Sequence, residues 1–145
     1  MELRAKNLVF AGDNKKNRVE TLAATFAPGV PVISVSGAPA VTITGSGDYV
    51  RSEVVPGVGT LSGIAAGGVG LVGKEVSLAF DGTYEFPTSG ITGASASTAN
   101  GTKIYITSGL VLTTTVGSNV FYGTVDRPKD YDNTRGFTPI KIGAR

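Results

Sequence analysis

The 145-residue chain contains no cysteine, no histidine and no tryptophan. Without cysteine there is no disulfide framework, no thiolate nucleophile and no thiolate metal site. Without histidine the commonest general base, the commonest metal ligand and the usual switch near neutral pH are missing. Charge is also scarce: Asp, Glu, Lys and Arg make up 17% of the residues, where about a quarter is usual. Such a surface is either covered in part by partners or made polar by Ser and Thr. No apolar run approaches the roughly 18 residues that span a bilayer. The first ten residues, MELRAKNLVF, carry charge but lack the apolar core of a signal peptide. The expectation is a chain made and used in a cytoplasm, or assembled there, with no membrane partner.

What is abundant points to one class. There are 21 glycines and 7 prolines, and Val, Thr, Ile, Ser and Ala dominate the rest. That is the vocabulary of strands and turns rather than of helices. The length suits one domain, residues 1–145, with a real core. The clearest local signal is residues 73–87, GKEVSLAFDGTYEFP. Val76, Leu78, Phe80, Tyr84 and Phe86 alternate with mostly polar neighbours, the period of a half-buried strand. Asp81-Gly82 resembles a two-residue hairpin turn. A hairpin there would place Thr83 and Glu85 on the core side with Phe80 and turn Tyr84 and Phe86 outward. The parity instead predicts one long strand kinked at Gly82, with Phe80 inside.

Further strands are expected over residues 18–26, 30–35, 41–44, 49–55, 103–107, 110–116, 120–125 and 137–142. Pro139 marks the last as an edge strand. Residues 103–107 and 110–116 form a hairpin around Ser108-Gly109. Parity puts Tyr105, Leu110 and Leu112 on one face and Ile104, Ile106 and Val111 on the other. Both faces are apolar, so the hairpin is buried on both sides, in the core or against another subunit. Residues 57–73 are Gly-rich but apolar, a winding connection or a surface loop. Within them, GVGLVG at 68–73 matches the dinucleotide fingerprint formally. A strand follows it where that motif needs a helix N-terminus, so nucleotide binding is not expected.

Little in the chain can carry chemistry. Asp126, Asp130 and Asp132 lie among Arg127, Lys129 and Arg135, and read as a self-neutralising surface loop. The run D-Y-D-N-T-R-G misses the calcium-loop spacing. Asp81 and Glu85 fall on the polar side of a strand. Asn100-Gly101-Thr102 is a formal glycosylation sequon without a secretion signal beside it. No catalytic residue, metal or cofactor is expected. Net charge is +2, too small to argue for direct nucleic-acid contact. The basic residues gather at the ends: Arg4, Lys6, Lys15, Lys16 and Arg18, and Arg127, Lys129, Arg135, Lys141 and Arg145. They are either solvated or meet an acidic surface.

The order of these pieces resembles the small capsid decoration, or cement, proteins of tailed bacteriophages. The matching words are VSGAP at 35–39, a Gly-rich middle, GTYEFP at 82–87, GTKIY at 101–105, LVLTT at 110–114 and FYGTV at 121–125. The resemblance covers roughly residues 30–145, and segments 40–56 and 126–136 are longer than is typical of the family. It implies an all-β, compact β-barrel-like or β-sandwich domain (residues 18–145) with Gly-rich connections. It also implies an extended N-terminal arm (residues 1–17). The implied role is structural, not enzymatic: binding the outer surface of the mature head and stabilising contacts between major capsid protein subunits, as a homotrimer in the virion. Main-chain pairing of an arm with a capsid sheet edge is one implied contact. Leu3, Arg4, Lys6, Leu8 and Phe10 are the implied capsid-contact residues. Tyr105, Leu110 and Leu112 are the candidates for the subunit interface. The alternatives are another virion β-module, from a tail or head fibre, and a carbohydrate-binding domain. The last would need exposed aromatic platforms, for which only Tyr49, Tyr122 and Tyr131 offer themselves.

Overall fold

Thirteen strands organise the chain in a computed structural model that describes residues 8–10, 17–65 and 71–143. Seven form one sheet in the order β1-β8-β13-β12-β10-β11-β9. These are β1 (Leu8–Phe10), β8 (Thr83–Pro87), β9 (Ile91–Thr92), β10 (Lys103–Ile106), β11 (Leu112–Thr113), β12 (Val120–Val125) and β13 (Phe137–Ile142). Four form a second sheet in the order β2-β7-β4-β3: β2 (Asn17–Thr21), β3 (Pro31–Ile33), β4 (Pro39–Thr42) and β7 (Glu75–Ala79). The last two, β5 (Val50–Val55) and β6 (Gly59–Ala65), pair only with each other. The larger sheet curls into a half-barrel, and the domain is all-β. Every pairing is antiparallel except β11 with β9.

The segment 73–87 is neither a hairpin nor one strand. β7 and β8 lie in different sheets, so the chain changes sheet at residues 80–82. Strands that switch sheets through a bend are how sandwich corners are made. Gly82 is buried and has φ 104°, a conformation side-chain-bearing residues rarely adopt. The parity is right about the large residues but not about where they go. Val76 and Leu78 are buried with Leu22, Val32 and Ala40 in a smaller cluster. Tyr84 and Phe86 enter the main cluster with Ile104, Ile106, Leu112, Tyr122, Val125, Ile140 and Ile142. Phe80, at the corner between them, is only half-buried.

A buried hydrogen bond from Tyr122 joins the two sheets. Tyr122, on β12, donates its hydroxyl to the carbonyl of Ala40, on β4, at 2.7 Å. Its ring packs edge-on to Phe86 at 6.0 Å between centroids. Ala79 and Val41, from the smaller sheet, complete the same cluster.

Pro139 does not mark an edge, because β13 lies between β8 and β12. Its carbonyl accepts from the Asp126 N–H at 3.0 Å. In an antiparallel ladder N and O of one residue point the same way. The missing N–H of Pro139 therefore faces the place where β12 has just ended, and no ladder bond to β8 is lost. The Gly-rich stretch also holds a strand, since Gly59–Ala65 folds back on Val50–Val55 around Pro56, Gly57 and Val58.

The base of that β5–β6 hairpin is tightly held. Gly47 N–H donates to the Glu75 carbonyl at 2.9 Å and Asp48 N–H to the Gly73 carbonyl at 2.7 Å. A Cβ at Gly47 would stand 2.7 Å from the Leu71 and Val72 backbone, so only glycine lets the two chains cross there. Asp48 also accepts from Thr25 at 2.9 Å and lies 3.9 Å from the Lys74 ammonium.

Candidate functional site

A groove lined by both polar and apolar atoms opens beside the corner where the chain changes sheet. Gly37, Ala38 and Pro39 from the β3–β4 turn, Phe80, Val120, Phe121 and Gly143 line it, and its volume is about 440 Å³. No ionisable side chain lines it. Of the lining residues Val120 is 46% exposed, and Val35, two residues before Gly37, is 76% exposed. Arg18 lies over the Phe80 ring at 4.6 Å. Glu20 holds that guanidinium at 2.6 Å and accepts the Val35 N–H at 2.9 Å. One ion pair thus contacts both Phe80, which lines the groove, and the backbone at Val35.

A bulge explains why Phe121 faces outward. Ile104 pairs with Gly123 while Tyr105 pairs with Phe121, which leaves Tyr122 as an extra residue in β12. An extra residue reverses the alternation beyond it. Tyr122 and Gly123 both face in, and Phe121 turns to the outer face, where it meets Tyr105 edge-on at 6.0 Å. Gly123 is required here, because a Cβ would stand 2.2 Å from the Lys141 carbonyl oxygen.

The opposite end of the larger sheet is polar and its loops are tied to one another, although the buried Arg127 Nε has no hydrogen-bond partner. The segment 126–136 folds over β8 and β13. Arg135 pairs with Glu85, and its guanidinium lies 5.3 Å from the Tyr131 ring and 5.8 Å from the Phe137 ring. Tyr131 donates its hydroxyl to Glu85 as well. Burial and that bond push its pKa up to about 12. Asp132 caps the following 3-10 turn by accepting from the Thr134 N–H and hydroxyl, and those bonds hold its carboxyl below the ordinary range. Arg127 donates to the Thr98 and Ser95 carbonyls. Asn100 accepts the Arg127 N–H at 2.8 Å and donates to its carbonyl at 3.2 Å. A depression of about 470 Å³ lies between residues 96–100 and 127–133.

These contacts revise the sequence-based candidates. Arg127 and Arg135, offered as charges for an acidic surface, are committed to the chain's own loops. Asn100, the sequon residue, uses both ends of its amide to pin Arg127. Of the aromatic platforms, Tyr122 is fully buried and Tyr131 lies under Arg135. Leu112 is 2% exposed and fills the main cluster. The cause is local: Leu110 takes φ 63°, which draws Leu110 and Val111 into the turn. Leu112 consequently pairs with Ile106 and shares its inward face, while Val111 is 47% exposed. Leu110 is half-buried against both clusters. Tyr105 alone of that trio stands on the outer face.

Leu8 and Phe10 lie in β1, which pairs with Tyr84 and Thr83 of the chain's own β8. Part of the expected arm therefore adds a strand in cis. Leu3, Arg4 and Lys6 lie outside the described residues. Phe80, Phe121 and Val120, which build the groove, were not singled out from the sequence. Phe80 was assigned to the core, and Phe121 needed the bulge to be known.

Among the described residues there is no group of three or more His, Cys, Asp or Glu placed to hold a metal ion, and no helix long and apolar enough to cross a membrane. In comparisons with known proteins, a family model described as phage cement protein matches residues 34–140. No curated protein and no solved structure matches.

Proposed function

Because this chain belongs to the phage cement protein family, and so is a structural component of a phage capsid, we propose that it binds the outer surface of the mature head. There it stabilises contacts between neighbouring major capsid protein subunits, without catalysis. The family match carries this reading, and the surface supports it. The apolar part of the groove, together with Tyr105 and Phe121, is area that docking would remove from water, at about 25 cal/mol per Å². The rest of the domain is built for rigidity, with the sheets bonded through Tyr122 and the polar loops tied to one another. Attachment as a homotrimer would multiply three modest contacts through effective concentration.

The test is addition of purified protein to undecorated, expanded heads of its own phage. Binding is read by co-sedimentation and gel densitometry, and head stability by release of DNA on heating. Saturable, stoichiometric binding that raises the release temperature is expected. No binding to expanded heads refutes the proposal, and capture by a glycan array instead would support the carbohydrate alternative.

A further inference from the structure

The smaller sheet ends at β2, the outermost strand in the order β2-β7-β4-β3. The direction of the ladder bonds shows what its outer side offers. Ile43 N–H donates to the Ser77 carbonyl, so the odd-numbered residues of β7 bond toward β4 and the even-numbered ones toward β2. On β2, Arg18 pairs with Leu78 and Glu20 with Val76, and Leu22 N–H donates to the Lys74 carbonyl. The N–H and C=O groups of Asn17, Val19 and Thr21 therefore point away from the sheet. No described strand pairs with them. Asn17, Arg18, Val19 and Thr21 are exposed, Val19 to 52%. Such an edge is a template for another strand, and charged side chains commonly keep it single. Here the two charges, Arg18 and Glu20, flank Val19 symmetrically.

We propose that β2 of one copy pairs antiparallel with β2 of a second copy, centred on Val19 across a twofold axis. The run NRVET at 17–21 is complementary to itself in that register. Val19 faces Val19, Asn17 faces Thr21, and Arg18 of each copy faces Glu20 of the other. A slip of two residues is the smallest that keeps the outward N–H and C=O groups facing each other. It sets Arg18 against Arg18 or Glu20 against Glu20, and like charges directly opposite are destabilising. Charge thus selects both the occupant and its register. Arg18 and Glu20 would meet in non-hydrogen-bonded pairs, where side chains approach most closely. Arg18 spends Nε and Nη2 on Glu20 and Ser36 of its own chain, which leaves its Nη1 donors for the second copy's Glu20. Asn17, Val19 and Thr21 supply the ladder, and the two valines cover each other. The two four-stranded sheets become one continuous sheet. The contact is isologous, so it links copies in pairs. It goes beyond the capsid reading and does not depend on it.

The chain has no cysteine, so Val19→Cys can oxidise only to a symmetric dimer. The Cα atoms of a hydrogen-bonded antiparallel pair lie about 5.5 Å apart, within the span of a disulfide. In a glutathione redox buffer V19C should form disulfide dimer well ahead of V116C, a control at a valine that is 58% exposed. Equal yields overturn the proposal. Val19→Pro removes an N–H that faces away from β7, a change that edge strands tolerate. Sedimentation equilibrium should show dimers of the native chain and monomers of V19P, at an unchanged melting temperature; equal association of the two also overturns the proposal. A third arm tests the register. R18E and E20R each set like charges opposite each other in a self-paired edge, whereas a mixed pair sets opposite charges together on both sides. Each should be monomeric alone, and the two should form a mixed dimer when combined, read by native mass spectrometry. No mixed dimer from variants that keep the native circular dichroism spectrum refutes the register. None of these measurements uses heads, so their outcome is separate from the test of the capsid reading.

Discussion

Replacing Tyr122 by Phe removes one oxygen atom and tests how the two sheets are joined. The Tyr122 side chain is fully buried, and its hydroxyl reaches the Ala40 carbonyl at 2.7 Å. Ala40 is itself 0% exposed, so water cannot replace the lost donor. A net hydrogen bond contributes about 1 kcal/mol, and a dry, orphaned acceptor raises the loss to about 1–3 kcal/mol. For a chain of this size each kcal/mol moves Tm by about 2–4 °C. A loss of about 2 kcal/mol thus predicts a drop of about 4–8 °C. The same substitution has a second signature in alkali. Burial raises the Tyr122 pKa well above 10.0, and burial with the nearby Asp81 charge raises that of Tyr84 to about 12. Unfolded tyrosines ionise near pH 10, while these stay protonated in the native state. Their stabilising contribution is complete below pH 10 and declines as pH rises through the folded values. Each fully shifted group contributes a slope of up to about 1.4 kcal/mol per pH unit. Tyr131 is also raised, to about 12, but it is partly exposed and solvent screening reduces its share. Tyr122→Phe should therefore be less stable than the native chain at pH 7 and lose stability less steeply above pH 10. Urea denaturation across that range measures both effects. An unchanged midpoint at pH 7 together with an unchanged alkaline slope would refute the inter-sheet bond.

Gly123→Ala places a Cβ against the Lys141 carbonyl and should cost about 3 kcal/mol or more by parting β12 from β13; native-like urea stability would mean the register is wrong. Phe80→Ala, for which a core position would imply about 3–5 kcal/mol, should cost only about 1–2 kcal/mol at this half-exposed corner. It should weaken decoration of heads more than that loss of stability explains; undiminished decoration would remove the groove from the contact. Deleting residues 1–10 takes away β1 and bares the edge of β8; head affinity, read by co-sedimentation, should fall further than Tm, and equal affinity after truncation would contradict a contact role for the arm.

The core was legible in the sequence because alternation reports burial directly. Val120–Val125 and Phe137–Ile142 have the bounds expected from their patterns, and the parity of residues 73–87 correctly excluded a hairpin at Asp81-Gly82. Parity carries no information about which sheet a residue enters, so one expected strand became two. A proline pattern could not show that β12 ends opposite Pro139 and leaves no donor to satisfy. The residues 59–65 were hidden for another reason: glycine contributes no side-chain period, and their partner strand is the only pattern that reveals them. The candidate site was less legible than the core for a physical reason. Its surface arises where periodicity fails. The extra residue Tyr122 sends Phe121 outward, the bend at Gly82 leaves Phe80 at a corner, and the left-handed Leu110 exposes Val111 while burying Leu112. Each break spends local regularity to move an apolar side chain from the core pattern to the surface. In a chain without histidine or cysteine to mark a reactive centre, such breaks are the features that separate a docking surface from the back of a sheet.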